Sequence, residues 1–285
     1  MVKISNDFLD VMISEQGAEL KSIKNKAGEE FLWIGDPNVW AGQAPVMFPI
    51  CGGLKDDKYV HNGKEYTLKK HGFARHSKFE IIRSEKDYAA FLLTPTDETK
   101  AMYPFDYEFV VSFKLDGNKI AITYAAKNLG TDDMYVSFGC HEAYYCPEDG
   151  GIENYKVVFD KPVTLKAYDL DGNLVKHSYN TVLENGTELD LDYKYFAIDA
   201  LVFRDIPFQA MTLAHRNGEK KLRVDFEGFN YCMLWTKPNA KYICIEPWAG
   251  TPDPVDADGI LANKMGINKV KGGDTFALTH TITIY

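Results

Sequence analysis

Apolar residues recur at every second position over long stretches of this chain. Tyr107, Phe109, Val111, Phe113 and Leu115 share one parity, Asp116-Gly117-Asn118 interrupts it, and Ile120, Ile122 and Tyr124 resume it. Successive side chains of a strand point to opposite faces, so the pattern predicts a hairpin with one buried face. Phe79 to Arg83 and Tyr88 to Leu93 predict a second pair, joined around Ser84 to Asp87. At the C-terminus Phe276, Leu278, His280, Ile282 and Ile284 fall on one face, with Ala277, Thr279, Thr281 and Thr283 on the other. Helical periodicity is weak, with short candidates only at Ile260 to Met265 and near Thr99 to Tyr103. Many short strands between turn signals predict an all-β fold, a single large antiparallel β-sandwich, rather than β-α-β units. Asp169 to Asp192 is polar and reads as loops within that sandwich. With no linker or internal repeat, residues 1–285 are expected to form one domain.

Composition agrees with strands. Aromatics make up 13% of the chain, with 17 Tyr and 17 Phe, and such rings pack well on a pleated surface. The net charge of -9, from 32 basic and 41 acidic residues, argues against nucleic-acid and anionic-membrane partners. No long apolar run predicts a membrane span, and the acid-containing start Met1 to Ser14 does not read as a signal peptide. Cysteines stand at 51, 140, 146, 232 and 244, an odd number with no C-x-x-C pair. Reduced thiols in a cytoplasmic protein are the simplest expectation.

Four stretches combine titratable residues with strand ends: Lys70-His71-Gly72-Phe73-Ala74-Arg75, Gly139-Cys140-His141-Glu142-Ala143-Tyr144, Ile198 to Phe203, and Cys244-Ile245-Glu246-Pro247-Trp248. Glu246 shares a strand face with Tyr242 and Cys244, and Pro247, having no N–H, is expected to end the ladder. Partial burial would raise its carboxyl and make it a better base. The pattern leaves open a plain surface glutamate or one paired with arginine. His141 lies on a face with Tyr135, Ser137 and Gly139, whose small members leave room for a pocket, while Met134, Val136, Phe138 and Cys140 suit a core. Histidine donates protons well near neutral pH, yet a structural histidine fits the same pattern. His71 is either a donor to a ligand hydroxyl or an ordinary loop residue. His280 reads as a core histidine. His141 and Glu142, adjacent on a strand, point to opposite faces. No H-x-H, H-x-x-x-H or H-E-x-x-H spacing occurs, so no metal is expected. Trp235, Trp248, Tyr144 and Tyr145 are candidates for stacking on a sugar ring, with core packing as the alternative.

Together these stretches, with Gly17-Ala18-Glu19-Leu20 and Pro45 to Pro49, resemble the aldose 1-epimerase (galactose mutarotase-like) family nearly end to end, in a branch also similar to hexose-phosphate mutarotase-like proteins. The resemblance implies a β-supersandwich with an open cleft and a cofactor-free reaction on a monosaccharide or sugar phosphate. It implies Glu246 as the base on the anomeric hydroxyl and His141 as the acid on the ring oxygen. It also implies His71 and Asp199 as sugar-binding residues; Arg75, Trp248 and Tyr144, in the same stretches, are further substrate-binding candidates by residue type. That chemistry needs an ionised glutamate and a protonated histidine, and their proximity is expected to raise the histidine.

Two positions depart from the family pattern. Gly53 stands where many relatives have arginine, which leaves Lys55 or Arg75 as replacements, and Glu142 follows the acid histidine where proline is common. A sugar-phosphate substrate would call on Lys55, Lys58, Lys69, Lys70 and Arg75. The competing classes are a non-catalytic carbohydrate-binding protein and a glycoside-cleaving enzyme using Glu246 with Asp199 or Glu142.

Overall fold

The alternating segments pair as their pattern requires. The computed structural model describes residues 1–285. Tyr107–Asp116 runs antiparallel to Lys119–Asn128, with Tyr107 opposite Asn128 and Asp116 opposite Lys119. Glu80–Ser84 pairs with Tyr88–Leu93, and the C-terminal strand Thr275–Ile284 pairs with Lys119–Asn128. These strands belong to a 14-stranded antiparallel sheet. From the C-terminal strand the sheet continues through Lys220–Asp225, Ala210–His215, Tyr155–Asp171, Leu201–Arg204, Tyr231–Trp235 and Tyr242–Ala249 to Phe138–Gly139. The alternating side chains turn inward into a buried cluster of 69 residues, which also takes in Val2, Ile4, Leu9, Val11 and Ile13 of the N-terminal sheet. The result is the expected β-sandwich.

Two elements differ from expectation here, and a third forms where it is expected. Asp169 to Asp192 is not loop. Tyr155–Asp171 and Leu174–Asp190 form one long hairpin with register shifts along it. Most of its second strand is exposed or half-exposed, so no buried face imposes an apolar alternation, and the backbone ladder alone defines it. The helix near Thr99 spans Asp97–Met102, started by Thr96, whose Oγ1 accepts from Thr99 N–H while Thr99 Oγ1 accepts from Thr96 N–H. The expected helix at Ile260 to Met265 is only the 3-10 turn Leu261–Asn263. No helix is long and apolar enough to cross a membrane. All five cysteines are buried and unpaired.

The strand expected at Met134 to His141 is broken. Met134–Val136 pairs with Asn268–Val270, whereas Phe138–Gly139 pairs with Ala249 and Trp248. Ser137 sits at the switch, its N–H donating to Pro49 O, and a Cβ at Gly250 would fall 2.5 Å from its side chain. The inward set Met134, Val136, Phe138 and Cys140 is buried as expected.

Candidate active site

The strand Tyr242–Ala249 carries the site, and every residue of it is buried. Ile243 and Ile245 enter the main core, while Cys244 and Glu246 face the other way. The ladder does not end at Pro247. Cys232 pairs with Pro247, and Tyr231 with Trp248. Ile245 N–H donates to Glu142 O and Pro247 O accepts from Cys140 N–H, so the side lacking an N–H faces residues 140–142. Those residues lie between two paired segments, Phe138–Gly139 and Ala143–Tyr145. A proline therefore stands where its partner strand is interrupted and has no donor to waste. The interruption frees His141 to turn toward the cleft.

His141 Nδ1 lies 3.4 Å from Glu246 Oε1, with the histidine side chain 14% exposed and the glutamate 2%. Neither His141 Nδ1 nor Glu246 Oε2 has a hydrogen-bond partner. Burial pushes the Glu246 carboxyl well above its ordinary range, against the opposing charge of Lys70. Burial pushes His141 down to about 3, helped by the positive charges of Lys70 and Arg75. The expected rise of the histidine is thus reversed, because loss of solvent outweighs its neighbour's charge. The neutral pair and the ion pair hold the same number of protons and differ only in which atom carries one.

His71 is brought beside them, its ring centroid 5.9 Å from that of His141 and 5.3 Å from Trp248. Its backbone is left-handed, with φ 68°, and Gly72 follows because a Cβ there would sit 2.2 Å from Phe48 O. His71 Nδ1 accepts from Gly52 N–H at 3.2 Å. Burial, then the nearby positive groups, hold the ring well below its ordinary value. Neutral, with Nδ1 an acceptor, it carries its proton on Nε2 and is a donor there.

These groups line an open cleft of about 550 Å³. Lys70, Asp199, Trp235 and Trp248 complete its polar and aromatic wall, and Gly172, Asn173 and Pro252 close one side. Asp199 is therefore at the cleft as expected, its Oδ1 accepting from Ala200 N–H. Trp248 is 5% exposed and donates through Nε1 to Cys140 O. Its Cδ1 would lie 2.8 Å from a Cβ on Gly139, so the space expected beside Gly139 holds an indole. Trp40 and Trp235 flank His141 with centroids 5.2 and 5.3 Å away. Trp40 escaped the sequence reading because its loop has no periodicity to set it apart.

Two expected residues lie elsewhere. Tyr144 is wholly buried in the main core, on the face of its strand turned from the cleft. Arg75 is not on the cleft wall; its Nη2 donates to Lys70 O, behind the loop. Glu142 also points away, its Oε1 3.1 Å from His280 Nε2, with both side chains buried. That removes Glu142 as a second carboxylate for glycoside cleavage. His280 is the expected core histidine, stacked on Tyr124.

A larger residue at position 53, such as arginine, has no room here. A Cβ on Gly53 would lie 2.6 Å from Asn173 Cβ and 3.0 Å from Asn173 O, at the tip of the long hairpin. Gly53→Ala is expected to destabilise the protein by about 1–3 kcal/mol, as overpacking does, measured by denaturant unfolding. An unchanged midpoint would mean that the tip yields.

Comparison with known proteins agrees with this fold. The sequence model of the family described as aldose 1-epimerase matches residues 1–260. The plasmid-encoded protein LacX of Lactococcus lactis subsp. lactis is 33% identical over 99% of both chains. A galactose mutarotase related enzyme from Lactobacillus acidophilus superposes with a TM-score of 0.92 at 32% identity, over 99% of this chain and 96% of that one. A galactose mutarotase-like protein from Lactobacillus casei gives 0.90 at 25% identity over 100% of both. The chain belongs to the aldose 1-epimerase family.

Proposed function

We propose that this protein interconverts the α and β anomers of a free aldose, with Glu246 as base and His141 as acid. The observation that carries the reading is the Glu246–His141 pair, 3.4 Å apart on the wall of an open cleft. Glu246 takes the proton of the anomeric hydroxyl while His141 gives one to the ring oxygen. The C1–O5 bond breaks, the aldehyde rotates about C1–C2, and the reverse transfers close the other anomer. The raised carboxyl is a stronger base than a free glutamate, and the lowered imidazolium a stronger acid than a free histidine. A bound sugar supplies the polar partners that both groups lack and so draws the shared proton onto His141. His71 Nε2–H and Asp199 provide a donor and an acceptor for hydroxyls, and Trp235 an apolar face for the ring.

The charges favour a neutral sugar over a phosphate. Of the five cations that a phosphate would need, only Lys70 lines the cleft. Lys58 pairs with Glu65, Lys69 with Asp57, Lys55 Nζ reaches Ala257 O and Arg75 holds Lys70 O. Asp199 lines the same cleft as that single cation, and a like charge brought beside it costs affinity. Exchange NMR on a panel of aldoses and their 6-phosphates tests this. Free aldoses are expected to exchange at least about tenfold faster in kcat/KM, a difference of about 1.4 kcal/mol. Faster exchange of a 6-phosphate would overturn the choice of substrate. No exchange on any sugar would overturn the reaction.

A further inference from the structure

The interruption that frees His141 leaves two trios of metal-ligating side chains. Cys140, Glu142 and His280 form one, and His141, Cys244 and Glu246 the other, with the ligand atoms of each trio within 4.8 Å of one another. The first is closed to solvent and already holds the Glu142–His280 contact. The second opens to the cleft through His141 and Glu246. Access therefore selects the second.

The spacing of its histidine and glutamate suits two ligands of one ion. Two donors, each about 2.0–2.1 Å from a tetrahedral Zn²⁺, stand roughly 3.3–3.4 Å apart. His141 Nδ1 and Glu246 Oε1 are separated by 3.4 Å. His141 Nδ1 and Glu246 Oε2 are buried without partners, which is the unsatisfied state that an ion would relieve. Cys244 lies two residues before Glu246 on the same strand face, among Trp33, Tyr242, Trp40 and Trp235. This apolar wall strengthens ion–ligand attraction. The three ligands come from two separate segments, so no local histidine spacing announces them.

We propose that a thiophilic divalent cation of the Zn²⁺ class binds His141 Nδ1, Cys244 Sγ and the Glu246 carboxylate, with cleft water as fourth ligand, and blocks the cleft's chemistry. Binding forms three protein–metal bonds, releases the Cys244 thiol proton and the proton shared by the pair to solvent, and moves no electron. A nitrogen, sulfur and oxygen donor set favours Zn²⁺ or Co²⁺ over Mg²⁺ or Ca²⁺. The blocking arm rests on the anomer-exchange reading; the binding arm does not.

Co²⁺ titration of the full chain reads binding directly. The wild type is expected to develop a sulfur-to-cobalt charge-transfer band that saturates with one ion per chain. Cys244→Ala is expected to lose the band and bind at least about tenfold more weakly, while Cys140→Ala keeps both. Cys244→Ser, checked by thermal melting, replaces the alanine variant if that one misfolds. Zn²⁺ is expected to stop wild-type anomer exchange, reversibly by chelator, and to leave Cys244→Ala exchanging at the uninhibited rate. Absence of the band in wild type, or its survival in folded Cys244 variants, would overturn the site. Exchange that persists with the ion bound would overturn the block. A wild type that binds Co²⁺ but exchanges no sugar sinks the mutarotase reading alone.

Discussion

Replacing Glu246 by glutamine is expected to slow anomer exchange by roughly 10²–10⁴-fold, the usual contribution of a positioned acid–base group. Shape and neighbours change little, but the amide cannot take the anomeric proton. Sugar affinity, measured by calorimetry, is expected to stay within about tenfold, since His71, Asp199 and Trp235 still hold the ring. Stability is expected to hold or rise. Glu246 is 1% exposed, and its Oε2 lacks a partner, so the native protein carries a buried group that function needs and folding does not. A glutamine variant exchanging at the wild-type rate would take Glu246 out of the reaction. A wild type that binds sugar without exchange would leave a carbohydrate-binding protein.

Much of this fold was legible because most strands bury one face only. Tyr107 to Tyr124 and Phe276 to Ile284 alternate in sequence and in the sheet alike. The second strand of the long hairpin, Leu174–Asp190, was not legible, because most of it is exposed or half-exposed on both faces. The site divides the same way. Glu246, His141, His71 and Asp199 were readable from local stretches and do converge. Arg75 and Tyr144 were read from the same stretches and do not, because a loop backbone turns one away and strand parity the other. Proximity in sequence set them beside the site residues; the direction of each side chain decided otherwise. Trp40, Asn173 and Pro252 reach the site through long-range packing, which no local pattern encodes.

Breaking the buried pair Lys264–Asp253 is expected to produce the largest loss of stability. Lys264 Nζ lies 2.9 Å from Asp253 Oδ1, with side chains 2% and 4% exposed. It also donates to Thr251 O. Burial lowers the lysine, and Asp253 opposes that. Asp253 is a junction: its Oδ2 accepts from Lys55 N–H, its N–H donates to Gly53 O, and its O accepts from Val175 N–H. Through those bonds it ties the Gly53 segment to the base of the hairpin tip, beside Pro252 and Asn173 of the cleft wall. Lys264→Met leaves a buried carboxylate uncompensated, at a cost of about 3–5 kcal/mol. For a chain of this size that lowers Tm by on the order of 10 °C. Asp253→Asn in the same chain is expected to recover part of the loss, since it removes the stranded charge. The loosened wall should also raise KM for the sugar more than it lowers kcat, because Glu246, on Tyr242–Ala249, and His141, in the gap beside it, lie outside the segments that Asp253 ties together. Should Lys264→Met melt within about 2 °C of wild type, the pair would be decoration rather than anchor, and the cleft wall would owe its position to the hairpin's own ladder.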